Sequence, residues 1–156
     1  MAQTPNFFKS LQVLHKALIA GMMLFCAIAI VLMTTGNAPL TLTAYDRTLQ
    51  VVAVLLGAGL PALGFSLFNK KLQSLDMAAP VAARVATYRS VTILRWMLIE
   101  LPAFFATICF LLTGNYAFAA LAIALVVVFA ATNPSKVKVV FQLQLNEQEV
   151  AELERA

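Results

Sequence analysis

Four stretches of this chain carry almost nothing but apolar side chains, and short polar segments separate them. They are roughly 14–34 (ALIAGMMLFCAIAIVLM at its centre), 49–68 (LQVVAVLLGAGLPALGFSLF), 91–112 and 116–132 (YAFAALAIALVVVFAAT). Each approaches the ~20 helical residues needed to cross a ~30 Å hydrocarbon layer. A helix satisfies its own backbone in lipid, so such runs predict helices there. The pattern predicts an all-α polytopic membrane protein. Four transmembrane helices form two antiparallel hairpins in residues 1–132, and 133–156 form a cytoplasmic tail.

The polar segments refine this. Thr113-Gly114-Asn115 predicts a tight helix–helix turn, because Gly and Asn accept the left-handed conformation that ends a helix. The first connection, TTGNAPLTLTAYDRT, is a loop by composition. After the break at Asp76 to Pro80 the helical pattern resumes at Val81 and runs into the third span. In the tail, Val137, Val139, Phe141, Leu143 and Leu145 alternate as a strand would. Asn133 and Pro134 instead suit a helix start. Strand and membrane-surface amphipathic helix therefore both stay open for 136–145. Asn146 with Glu149 forms a plausible capping box for a last, acidic helix, which either stands solvated or docks on the basic central loop or on a partner.

Composition agrees with the pattern. The chain is 62% hydrophobic and 12% charged, whereas soluble domains are nearer half apolar and a quarter charged. Its net charge is +4, and the cations flank the spans. Lys9 and Lys16 lie at the first, Lys70, Lys71, Arg84, Arg89 and Arg95 in and beyond the central loop, and Lys136 and Lys138 after the fourth. The first loop has Arg47 alone, beside Asp46. The positive-inside rule then predicts both termini and the central loop in the cytoplasm of a bacterial inner membrane. Arg95 is expected to snorkel to the headgroups. Tyr45, Tyr116 and Phe118 are expected at the outer interface, Tyr88 and Trp96 at the inner one. The first apolar run outlasts the ~7–15 residues of a signal peptide and lacks a clean A-x-A site, so a retained span is expected.

Several chemistries find no support. No basic stripe with interleaved aromatics suggests nucleic acid. Cys26 and Cys109 sit inside apolar runs and His15 is the single histidine, so no zinc site, other metal or cofactor is expected. Phosphate loops, HExxH, GxSxG and paired carboxylates are missing, so an enzyme is not expected.

The candidate residue is Glu100, inside ILRWMLIELPAFF. It lies ~13 Å along the third span, near mid-bilayer. Intramembrane carboxylates usually face the bundle interior and have a partner. Thr92, Trp96, Glu100, Ala103 and Thr107 share one face, and Pro102 frees the carbonyl of Leu98. On the second span Ala53, Gly57, Pro61 and Gly64 form a notched face that admits a close helix. The expectation is that Glu100 sits uncharged against this notch. Two roles follow: locking helices by a hydrogen bond, or carrying a proton or cation.

The segment GAGLPALGFSLFNKK, a loop with Arg84, and RSVTILRWMLIELPAFFATICFLL together resemble the hairpin of subunit c of rotary ATP synthases. That resemblance implies an ion-carrying role for Glu100 and close packing for Gly57, Gly59 and Gly64. The chain departs from that family at Pro61, at Ala-Arg-Val around Arg84, at the bulky Trp96, Phe104 and Phe105, and in its two flanking spans. As a whole, it resembles small four-span bacterial membrane proteins, on the hairpin ending LLTGN and the tail that begins near Pro134. The expected function is a non-catalytic structural or accessory membrane protein, with ion-coupled transport through Glu100 as the alternative. Expected partners are the bilayer and another membrane protein or a second copy.

Overall fold

The computed structural model describes residues 7–155, which form six α-helices and one short 3-10 turn, with no strand among the described residues. Helix α1 spans Phe7–Thr34 and ends at Gly36, whose φ of 71° lets Asn37 N–H bond back to Leu32 O at 2.9 Å. The loop then touches the end of the third helix, with Leu42 N–H bonded to Leu112 O at 3.1 Å. A turn at Thr43–Tyr45 leads into α2, Asp46–Gln73. Asp46 in its first turn and Lys70 and Lys71 in its last complement the helix dipole. Helix α3, Val81–Thr113, runs unbroken through Pro102 and stops at Gly114, φ 77°. Asn115 caps α4, Tyr116–Ala131, by accepting the Ala117 N–H at 2.9 Å.

Three helices, α1, α2 with its leading turn, and α3, are long and apolar enough to cross a membrane. Helix α4 has 16 residues, or ~24 Å at 1.5 Å per residue. It makes a fourth span only together with α5, Lys136–Leu143, across a 65° bend. Residues 136–143 are thus helical. Their alternation has a tertiary cause: Val139 and Leu143 turn inward, while Val137 and Phe141 turn outward. Each pair is spaced by four, so one short helix carries two apolar stripes. The last helix, α6, is Glu147–Arg155. Its predicted capping box forms: Asn146 Oδ1 accepts the Glu149 N–H at 2.8 Å, and Glu149 Oε2 accepts the Asn146 N–H at 2.9 Å.

Helix α3 is the axis of the molecule. It packs against α2, α4 and α1, whereas α1 and α2 scarcely touch. The larger core lies at the end where the tail returns, joining Phe8, Leu11, Phe68, Tyr88, Trp96 and Phe129 to Val139 and Leu143. A smaller cluster of Ala29, Ala53, Cys109, Phe110 and Phe118 fills the opposite end. Between these ends a belt of large apolar residues faces outward, among them Leu24, Leu55, Leu101 and Val127. Water would make that belt a liability, whereas the hydrocarbon of a bilayer would cover it.

Candidate functional site

Glu100 is half-buried, at the edge of the packed face of α3. Its neighbours one turn away show which edge. Trp96 meets His15 of α1, ring centroids 5.0 Å apart, and Phe104 meets Phe25 of α1 at 5.3 Å. Further along, Cys26 and Thr107 join the same helices through a 3.4 Å hydrogen bond. Glu100 therefore sits at the α1–α3 seam. It makes no hydrogen bond or ion pair among the described residues.

This differs from the expected seat against α2. The notch on α2 is occupied by other groups. A Cβ built on Gly64 would lie 3.3 Å from Leu98 Cβ and 3.4 Å from Arg95 Cα, and one on Gly57 would lie 3.2 Å from Leu121 of α4. Leu98 and Glu100 are two residues apart, hence about 160° apart around the helix. If Leu98 faces α2, Glu100 cannot. The other residues of the predicted stripe, Thr92, Trp96, Ala103 and Thr107, are buried, as are Ala53, Pro61 and Pro102. Gly59 has open space around it and is no close-packing position.

The basic residues split into two sets. Lys70, Lys71 and Arg89 are exposed, but Arg84 and Arg95 are buried, 4% and 9% accessible. Arg84 pairs with Glu149 and donates to Leu143 O at 2.8 Å and Ala79 O at 3.1 Å. One guanidinium thus joins the start of α3 to the end of α5 and the cap of α6, and the tail docks on the bundle. Arg95 does not snorkel. Its guanidinium carbon lies 3.9 Å from the centroid of the Phe68 ring, within cation–π range. Tyr88 and Trp96 are likewise core residues and no interface belt, since each is at most 2% accessible. Phe118 is buried too, while Tyr45 and Tyr116 are exposed at the far end.

His15 takes a place that periodicity alone did not reveal. Its ring stacks on Phe129 at 4.9 Å, and its Nε2 donates to Phe129 O at 3.1 Å. That carbonyl, in the last turn of α4, also accepts the Thr132 N–H at 2.9 Å and the Thr132 hydroxyl at 2.6 Å, so a buried donor from α1 adds to the local cap. A lone histidine, between Leu14 and Lys16, is the only signal in the sequence. No group of three or more metal-ligating side chains occurs among the described residues. Comparison with protein-family models, with curated proteins and with solved structures finds no match.

Proposed function

We propose that this chain is a small multi-pass membrane protein of structural or accessory type, without catalytic activity, that associates through its membrane face with another membrane protein or a second copy. The observation that carries this reading is the position of Glu100. An unpartnered carboxyl at a seam open to lipid is costly there, and the cost falls when a neighbouring helix supplies a donor. The distribution of charge supports a bacterial inner-membrane orientation with both ends cytoplasmic. Lys9, Lys70, Lys71, Arg84, Arg89 and Lys136 lie at the tail-bearing end, while Arg47 lies at the other.

Purification in mild detergent tests the association. The wild-type chain is expected to elute as a complex, and Glu100→Leu to elute as a folded single chain. Equal assembly of both ends this reading. The second reading, ion-linked transport, rests on the same carboxyl. Glu100→Gln keeps shape and hydrogen bonding but cannot ionise, so absence of wild-type proton or cation flux in proteoliposomes, or flux that survives this change, removes transport through Glu100.

A further inference from the structure

At the tail-bearing end, α2, α3 and the bend between α4 and α5 enclose a cavity of about 250 Å³, lined by Phe65, Tyr88, Arg95, Lys138, Gln142 and the turn 131–134. We propose that this cavity holds the phosphate of an anionic phospholipid, gripped by Arg95 and Lys138.

Arg95 is more than nine-tenths buried, and its Nε has no hydrogen-bond partner. Its contacts are with ring faces, Phe68 at 3.9 Å and Phe65 at 5.5 Å, and it forms no ion pair among the described residues. A guanidinium stays charged at any physiological pH, so it cannot relieve its burial by losing a proton. Such a group calls for an anion. No aspartate or glutamate lines the cavity, whereas a second cation does. The Lys138 ammonium donates one long hydrogen bond among the described residues, to the Asn133 carbonyl at 3.5 Å. Two cations facing one cavity repel each other until an anion comes between them. Tyr88 Oη donates to Gln142 Oε1 at 2.9 Å, which leaves the Gln142 NH₂ as a further donor in the wall.

The surroundings favour a lipid over a free anion. Phe65, in the cavity wall, is itself an exposed large apolar residue of α2 and offers a surface for an acyl chain. On α5, Val137 and Phe141 are 78% and 82% accessible and stand beside Lys138. A short helix bent away from its span, apolar outward and basic at one end, suits the headgroup boundary. Basic pockets between spans at the cytoplasmic side are a known mode of headgroup recognition.

Native mass spectrometry of the full chain in mild detergent tests this, with phosphatidylglycerol and phosphatidylcholine as probes and inorganic phosphate as competitor. Phosphatidylglycerol is expected to bind more tightly than phosphatidylcholine. Lys138→Gln is expected to weaken it about fivefold, from roughly 1 kcal/mol per surface cation, and Arg95→Gln about tenfold or more. Excess inorganic phosphate is expected to leave the lipid bound. Equal affinity for the two lipids, or unchanged affinity in the variants, overturns the site. Displacement by inorganic phosphate overturns the lipid assignment in favour of a free anion. If Arg95→Gln does not fold, Lys138→Gln decides alone, because Lys138 is exposed and outside the core.

Discussion

Arg84 of α3 and Glu149 of α6 pair across 65 residues of chain, and both partners have further duties. Glu149 closes the capping box of its own helix, and Arg84 satisfies a carbonyl at the end of α5. The tail is thereby an integral layer of the molecule. Apolar burial of Val139, Leu143 and Leu145 holds it, and the ion pair sets its register.

Breaking that pair should release the tail. The Arg84 and Glu149 side chains are 5% and 19% accessible, so Glu149→Ala strands a buried cation. We expect a loss of about 3 kcal/mol and rapid proteolysis beyond residue 143. Glu154→Ala removes only the exposed pair with Lys136 and should cost less than ~0.5 kcal/mol. Limited proteolysis with thermal midpoints in detergent compares the two, and equal effects would refute the register role.

Three glycines of α2 should respond differently to alanine. Gly59→Ala meets open space and should stabilise by about 0.5–1 kcal/mol through helix propensity. Gly57→Ala meets the mobile end of Leu121 and should be near neutral. Gly64→Ala meets Leu98 Cβ and the Arg95 backbone, which can give way only if helices part. It should cost about 1–2 kcal/mol. Thermal midpoints of the three variants check that order.

Asn115 does two jobs at the far end. Its oxygen caps α4, and its Nδ2 donates to both oxygens of Asp46, at 3.0 and 2.8 Å. Asn115→Asp preserves the cap but sets two carboxylates together, so it should destabilise by about 1–2 kcal/mol. Adding Asp46→Asn should restore most of the loss. A double-mutant cycle with no coupling would contradict this.

Substitution at Glu100 should leave the isolated fold intact. The side chain makes no hydrogen bond within the described residues, so Glu100→Gln should fall within ~0.5 kcal/mol of wild type and Glu100→Leu should be no less stable. A fall in the midpoint of Glu100→Leu alone would reveal a helix-locking bond inside this chain.

Much of this was legible in the residues themselves. The apolar runs located α1 to α4 to within a few positions, except where polar turns extend a helix beyond its apolar stretch, as from Val81 to Val91 in α3. The Gly114–Asn115 turn and the Asn146–Glu149 box were legible because capping is a matter of local geometry and residue type. The structure of 136–145 was not. Its alternation matches a strand, and only the core around Val139 and Leu143 makes it a helix with two apolar stripes.

By itself the sequence determined class, helix positions and caps, because hydrophobic length and terminal hydrogen bonds act over one or two turns. Tertiary structure decided which neighbour each face meets. A period of 3.6 residues says that Leu98 and Glu100 point apart, yet not which of them looks at α2. That depended on α3 becoming the central helix, with α2 and α1 on different flanks. It also decided that Arg84 and Arg95 lie inside. A cation's burial depends on what folds over it, and here that is a tail 59 to 65 residues further along for Arg84 and the rings of Phe65 and Phe68 for Arg95.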